Sequence, residues 1–407
     1  MILIYYMFDA IVIGGGPAGS TAGYLLAKKG FKVLVLEKYR FPRRKPCAGG
    51  LTQYALKLLK DLGLYSEEYI VWRARRAKVI FVRHDARFDL GAAGALTTRE
   101  LFDTYLAREA ESSGAELCEG EPVERLSIKE NCIEVCSRKD TYRGRAAIIA
   151  CGQPNLLGAS VGIAPKYGRA IAFEFNAPLP GDYDPDATEF YFDLEEDFYG
   201  YFWVFPKGEY ANYGVGTWID TVSKMKEIYG DLFKWIKSIV KRVNLNIPNL
   251  EEGLENIRGG IVPVYWGAKL EDLVADRILA IGDAATLVRY VGEGICYALK
   301  SAQIAAEALE VLLEEDKLSK KDLLERYGLR LRREVLEELK VTPKIEKAMR
   351  KNLHTIVELL KESSEARELL TKMIEHNIGD NEYYEEFQKI IMRRPKFLLK
   401  ALLDYLH

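Results

Sequence analysis

The chain has 407 residues, 48% hydrophobic and 29% charged, with a net charge of -2, which suits two or three domains with ample core and excludes a disordered chain. The balanced charge argues against nucleic acid as a partner, and no apolar run approaches the ~20 residues that span a bilayer. Any membrane contact is therefore expected to be peripheral. Six scattered cysteines form no C-x-x-C pair and lack histidine partners, so no metal site is read and a reducing, cytoplasmic compartment is expected.

Residues 1–7 (MILIYYM) lack a basic region and a cleavage site. They read as an extension of the first strand, with Met7 as an alternative start. An apolar run, Ala10 to Ile13, then breaks into Gly14, Gly15 and Gly16, and Pro17-Ala18-Gly19 opens a helix. A second apolar run, Phe31 to Leu36, ends on Glu37. Strand, tight turn, helix and strand with G-x-G-x-x-G at Gly14, Gly16 and Gly19 predict dinucleotide binding. Gly14 permits the turn, Gly16 lets the backbone approach a pyrophosphate, and Gly19 lets helix and strand pack closely. The phosphates belong at the helix N-terminus, where unpaired N–H groups and the helix dipole favour an anion. Glu37 is placed to accept a ribose 2′-hydroxyl and speaks against a 2′-phosphate.

A basic loop (Arg43, Arg44, Lys45) leads into Cys47-Ala48-Gly49-Gly50 and a helix to Leu62. Residues 76–90 alternate as strands, with a turn at 92–94. Thr98 caps a helix that Gly114 ends. Strands are expected at 116–127, 131–137, 140–144 and 146–151. From 165 to 264 the texture is aromatic strands with Gly and Pro turns and one helix near 222–243, which reads as an inserted antiparallel sheet. Arg277 to Ile281 returns to a buried parallel pattern and ends in Gly282-Asp283-Ala284-Ala285, after which Gly292-Glu293-Gly294-Ile295 opens a long helix. The last ninety or so residues are helical, amphipathic and charged. The fold class is α/β, with a discontinuous Rossmann-like domain (1–65, 97–160, 271–315), a substrate sheet (66–96, 161–270) and a C-terminal helical region (316–407).

Gly14, Gly16 and Gly19, Glu37, Arg99 with Asp103, and Gly282-Asp283 make the signature of a two-site FAD fold and resemble the p-hydroxybenzoate hydroxylase superfamily. Within it, Lys45-Pro46-Cys47-Ala48-Gly49-Gly50 resembles the C-x-G-G segment of geranylgeranyl reductases. Tyr201-Phe202-Trp203-Val204-Phe205-Pro206 resembles their Y-x-W-x-F-P motif, and Asn212 to Gly216 continues the pattern. The resemblance implies that FAD is held by Gly14, Gly16, Ala18, Gly19, Glu37, Lys38, Arg44, Ala48, Arg99, Gly282, Asp283, Gly292, Gly294 and Ile295. It also implies a catalytic segment of Cys47, Gly49 and Gly50, and a substrate wall of Tyr201, Trp203, Phe205 and Pro206. The chain departs from the family at Phe198 (for Pro), at Leu287 to Tyr290 (for Asn-Pro) and at Ala150 to Gln153, where the superfamily has Asp-Gly.

Period two puts Tyr199, Tyr201, Trp203 and Phe205 on one strand face and Phe198, Gly200 and Phe202 on the other. The first face is either a pocket wall or a sandwich core. Cys47 is either a small packing residue or a proton donor, and the four histidines fall outside the motifs. The expected activity is an FAD-dependent reductase that saturates C=C bonds in polyprenyl (geranylgeranyl) chains of isoprenoid lipids, drawing electrons from a nicotinamide, a deazaflavin or a ferredoxin. The alternatives are a menaquinone-prenyl reductase, a flavin monooxygenase and a non-catalytic flavin- and lipid-binding protein. Residues 393–406 place basic residues beside an apolar face, which suits either docking on the protein or a membrane interface.

Overall fold

The computed structural model describes residues 7–91 and 94–406, with side chains as far as 400. The expected strand extension at 1–6 and the first two residues of the turn at 92–94 lie outside the described residues. Chain order begins β1 (Met7–Ile13), α1 (Pro17–Lys28), β2 (Val33–Glu37), β3 (Gly50–Leu51), α2 (Gln53–Leu62), β4 (Trp72–Ala74), β5 (Arg76–Phe81), β6 (Ala86–Leu90), β7 (Gly94–Leu96) and α3 (Arg99–Ser112). It continues β8 (Glu116–Glu119), β9 (Val123–Ile128), β10 (Ile133–Ser137), β11 (Thr141–Ile149) and α4 (Leu156–Ser160). The insert holds β12 (Tyr167–Pro178), β13 (Ala187–Phe192), β14 (Gly200–Pro206), β15 (Tyr210–Trp218), α5 (Ile219–Tyr229), α6 (Leu232–Arg242), α7 (Leu250–Glu255) and β16 (Arg258–Tyr265). Then come β17 (Val274–Ala275), β18 (Ile278–Ala280) and α8 (Ile295–Glu314).

The first sheet runs β17-β18-β11-β1-β2-β8, with β10 and β9 attached to β11. Its centre is parallel, and Ala10 to Val12 and Ala146 to Ile149 are fully buried. Strands covered on both faces need continuous apolar runs, and that is how these segments read. Three sequence differences emerge. The expected strand 116–127 is two, because Gly120 (φ +65°) turns the chain ahead of Pro122. The expected strands 140–144 and 146–151 are one, since Phe8↔Gly144 and Ala10↔Ala146 continue a single ladder. The single helix of the insert is α5 and α6, split where Gly230 (φ +80°) ends one and Asp231 caps the next by accepting from Lys234 N–H.

The second sheet runs β16-β12-β15-β14-β13-β5-β6 and is antiparallel apart from the β13–β5 pair. One face packs on α5, α6 and α7 through Phe202, Val204, Tyr213, Val215, Trp235, Ile236 and Ile239. The other face looks toward the first domain at β14 and, at β5 and β6, toward the C-terminal helices. Those helices are a run from 320 to 339 with two π turns, then Thr342–Glu362, Ser364–Ile374, Asp380–Met392 and Pro395–Leu406. Val79, Phe81 and Phe88 pack there against Val357, Leu360, Phe387 and Ile390. Among the described residues no helix is long and apolar enough to cross a membrane.

Alternation on β14 makes a sharp prediction. Phe202 is fully buried in the core of the insert, so Phe202→Ala should cost ~3–5 kcal/mol. The check is the denaturant midpoint at unchanged slope; a shift worth under ~1 kcal/mol would show the face assignment to be wrong.

Candidate active site

The N-terminus of α1 is built by backbone approach. Gly14 has φ +108°, and a Cβ there would lie 2.5 Å from Ala150 O; a Cβ on Gly19 would lie 1.8 Å from Gly14 O. Gly16 is the N-cap of α1. Glu37, 3% exposed, ties the turn to β2, its carboxylate accepting from Gly15 N–H at 2.8 Å and Tyr39 N–H at 3.0 Å. Two guanidiniums face this turn, that of Arg99 buried and that of Arg43 half-buried. Arg99 donates to both Asp103 oxygens at 2.6 and 2.7 Å, and Arg43 Nη2 lies 3.0 Å from Asp103 Oδ2. A Cβ on Gly16 would meet Arg43 Nη2 at 3.3 Å and Arg99 Nη2 at 3.9 Å.

Helix N–H groups and two guanidiniums around a glycine cradle fit a pyrophosphate. Arg43 Nε supports the fit: it is buried and makes no hydrogen bond, standing only in ion-pair range of Glu37 at 3.4 Å. Two expected FAD contacts lie off this cradle. Arg44 is 67% exposed and reaches Glu100 near the start of α3, whereas Arg43 reaches Asp103 one turn further on. Lys38 is exposed, its ammonium over the Tyr39 ring at 4.9 Å.

The late motif meets the early one directly. Gly282 has φ +57°, and a Cβ there would lie 2.9 Å from Ala18 Cβ. Lys45 Nζ donates to Asp283 Oδ2 at 3.0 Å. Burial works against the Asp283 charge, but Lys45 and then Arg99 outweigh it and hold the carboxyl below its ordinary value. The stretch that lacks the superfamily's Asp-Gly supports this turn with amides: Gln153 Nε2 donates to Asp283 O at 3.1 Å and Asn155 Nδ2 to Ala284 O at 3.3 Å. Gly294 is the N-cap of α8, Ile295 its first residue, and a Cβ on Gly294 would lie 3.3 Å from Asp283 Oδ1. Gly292 turns the preceding loop with φ +83°.

The aromatic motif flanks the Cys47–Gly50 segment. Trp203, Phe205 and Leu96 form a small cluster joined by Ala48, Phe190 and Tyr201. Ala48 thus packs on the aromatic wall. Phe205 sits 3.0 Å from where a Cβ on Gly50 would be. Trp203 Nε1 donates to Asn212 Oδ1 at 2.8 Å, and a Cβ on Gly214 would collide with the indole at 2.2 Å. Tyr201 O–H donates to Val291 O at 2.6 Å, joining the sheet to the Gly292 loop. Pro206 is a correction: it pairs with Ala211 on the face of Phe202 and Val204, because β14 alternates without a bulge. Ring centroids continue the wall, Phe205–Phe190 at 5.3 Å, Phe190–Tyr201 at 5.8 Å, Tyr201–Phe192 at 5.2 Å and Phe192–Phe81 at 5.6 Å, to a point beneath the C-terminal helices.

Cys47 is half-buried, and its Sγ accepts from Gly49 N–H at 3.4 Å. Gly49 (φ +76°) has no room for a side chain: a Cβ would lie 2.0 Å from Thr97 O and 3.0 Å from Lys207 Nζ. Lys207, 7% exposed, donates to Thr97 O at 2.7 Å, and burial pushes its ammonium below the ordinary lysine value. Lys207 carries no sequence signal beyond its place directly after Pro206. The histidines fall outside every motif, yet His376 Nε2 lies 2.8 Å from Oε2 of Glu293, the residue between Gly292 and Gly294. Glu293, Cys296 and His376 offer ligand atoms within 4.8 Å of one another. Arg289 Nη1, 2.9 Å from the same imidazole nitrogen, puts a cation there already and makes this an ion-pair network.

The cradle separates two neighbouring arginines. Removing a charge-assisted contact costs ~1.5–3 kcal/mol, so Arg43→Ala should weaken FAD binding roughly 10- to 100-fold in a titration of the FAD-free protein. Arg44→Ala should leave it within about twofold; the opposite ranking would misplace the pyrophosphate.

A family model for an FAD binding domain matches residues 7–135, and one for a geranylgeranyl reductase catalytic domain matches residues 171–251. Digeranylgeranylglycerophospholipid reductase 2 of Methanopyrus kandleri is 28% identical over 97% of this chain and 98% of its own. Geranylgeranyl diphosphate reductase of Rhodobacter capsulatus is 32% identical over 76% of this chain and 77% of its own. A geranylgeranyl bacteriochlorophyll reductase-like protein of Thermoplasma acidophilum superposes with a TM-score of 0.75 at 23% identity, covering 95% of this chain and all of that one. The glycine cradle, the paired arginines and the aromatic wall beside Ala48 and Gly50 accompany that similarity, and the chain belongs to the geranylgeranyl reductase family of FAD-dependent oxidoreductases.

Proposed function

We propose that the protein saturates C=C bonds in the polyprenyl chains of isoprenoid glycerophospholipids. The observation that carries this reading is the aromatic strip from Phe205 to Phe81, which starts at the Cys47–Gly50 segment and ends under the C-terminal helices. A long run of rings suits a long apolar chain better than a compact aromatic substrate. The two relatives are named for substrates that share a geranylgeranyl chain and differ in head group. The match to the archaeal relative, nearly complete in both chains, supports the glycerophospholipid over a free diphosphate or a prenylquinone.

FAD, when bound, supplies the hydride. The protein's own residues do the rest. Arg43 and Arg99 with the α1 N-terminus hold the pyrophosphate, and Asp283, kept charged by Lys45 and Arg99, accepts from the sugar-alcohol chain. Tyr201, Trp203 and Phe205 exclude water and hold the alkene. An isolated alkene has no carbonyl to take up negative charge, so positive charge develops at its more substituted carbon, and the ring faces stabilise it. Cys47 Sγ–H gives the matching proton. Burial pushes the Tyr201 phenol well above its ordinary value. Reducing equivalents come from a nicotinamide, a deazaflavin or a ferredoxin, which anaerobic reduction with each donor distinguishes.

Anaerobic incubation of the reduced protein with digeranylgeranylglycerophospholipid, followed by mass spectrometry, should show added hydrogen in pairs. Cys47→Ala should bind FAD normally and stop after partial saturation, and Trp203→Ala should lose lipid reduction before flavin. Substrate-coupled oxygen consumption with a hydroxylated or epoxidised product would instead favour a monooxygenase. Wild-type rates in Cys47→Ala would leave Cys47 as packing.

The substrate is a membrane lipid, and we place the protein at the membrane surface through the helix Pro395–Leu406. Leu398 and Leu399 are 39% and 61% exposed there, beside Lys396 and Arg393. Deleting 393–407 should weaken binding to anionic liposomes and leave flavin content intact; unchanged liposome binding would remove this role.

A further inference from the structure

The loop between Asp283 and α8 is fastened by residues far away in the sequence. Arg289, 3% exposed, donates through Nε to Asp380 Oδ2 at 2.9 Å and through Nη2 to Asp380 Oδ1. Its Nη1 donates to Glu293 Oε2 at 3.1 Å, and His376 Nε2 stands 2.8 Å from the same oxygen. Thr52 Oγ1 donates to the other Glu293 oxygen at 2.7 Å. Thr52 is the N-cap of α2, immediately after the Cys47–Gly50 segment and β3. Tyr54, on the first turn of α2, stacks on the His376 ring at 5.3 Å. The loop closes on itself as well, Arg289 N–H donating to Glu293 O and Gly292 N–H to Arg289 O, both at 2.9 Å.

One carboxylate therefore joins three segments: the flavin loop, the start of α2, and the turn before the helix Asp380–Met392. We propose that Glu293 is a positioning residue through which the C-terminal helices set the geometry of the flavin site. Asp380 and His376 fix Arg289 and Glu293, and Glu293 fixes the Gly292–Gly294 turn and the Thr52 end of the catalytic segment. Burial works against the Glu293 charge, but His376, Arg289 and Thr52 outweigh it and hold the carboxyl far below the ordinary carboxylate range. Both carboxylates of this buried network have a guanidinium partner, and Glu293 has the Thr52 hydroxyl as well; such a network transmits position because a partner that moves leaves a buried charge unpaired. The inference rests on FAD as cofactor and is independent of which lipid is reduced.

The test uses the full chain with FAD removed and then restored. Hydrogen–deuterium exchange is followed by peptide in wild type, in Asp380→Asn, and in the double variant Arg289→Met with Asp380→Leu. Asp380→Asn should speed exchange about tenfold or more in peptides covering 286–294 and 47–54, leaving β1 and β11 unchanged. FAD affinity should fall by about tenfold in the same variant. The double variant replaces the buried Arg289–Asp380 pair by apolar groups of similar volume, a change that proteins tolerate, and leaves Glu293 its contacts with His376 and Thr52. It should keep the fold yet retain the loosened loops and the weak FAD binding. Unchanged exchange at 47–54 and 286–294 in Asp380→Asn would overturn the proposal. Recovery of wild-type exchange and affinity in the double variant would do the same, by showing that an unpaired buried charge was the whole effect. If Asp380→Asn does not fold, the double variant decides alone.

Discussion

The site depends on three approaches closer than an added methyl group allows, two of backbone to backbone and one of the Gly282 backbone to the Ala18 side chain. A Cβ on Gly14 would meet Ala150 O at 2.5 Å, one on Gly19 would meet Gly14 O at 1.8 Å, and one on Gly282 would meet Ala18 at 2.9 Å. Those contacts draw together β1, the end of β11 and the end of β18, which the sequence separates by more than a hundred residues at each step. The insert and the C-terminal helices are hung from that junction. Because the approach is made by backbone, the anion cradle, Asp283 and the α8 N-terminus hold fixed relative positions before any cofactor contact is made.

Local chemistry was readable from residues for the same reason. G-x-G-x-x-G works through a turn and a helix start that six neighbouring residues define, and Glu37 follows at the end of the next strand. Strand parity was readable at Tyr201, Trp203 and Phe205, yet Pro206 was included with a wall that alternation itself excludes. The break at Gly230-Asp231 also had its signal, a C-cap glycine followed by an N-cap aspartate. Arg43 and Arg44 show where reading stops. They are identical neighbours in a loop, and only the packing of that loop on α3 sends one to Asp103 and the other to Glu100. His376 and Asp380 lie 83 and 91 residues beyond Glu293 and Arg289, and no local pattern links such pairs.

The charges fall into closed sets. Arg43, Arg99, Asp103 and Glu37 share one end of the site, Lys45 and Asp283 the next, and Arg289, Glu293, His376 and Asp380 the third. Each set satisfies its buried charges internally, which is what burial of ions demands. The first set keeps hydrogen-bonding capacity, at the Arg43 Nε that makes no hydrogen bond and at the α1 N-terminus. The partial positive charge of that helix N-terminus sits where a dianionic pyrophosphate belongs.

Beyond the charges the site is apolar, and Tyr201 marks the boundary. Its hydroxyl belongs to the flavin loop through Val291, while its ring belongs to the strip, 5.2 Å from Phe192 and 5.9 Å from Trp203. A residue bonded on one side and packed on the other fixes the distance between the Gly292 loop and the aromatic strip. On the proposed function, hydride transfer would be steep in that distance. The Glu293 junction acts on the same loop, so Val291 to Gly294 is held between a phenol on the insert and a carboxylate tied to the C-terminal helices. Two domains that share no sheet are thereby made to agree on one position.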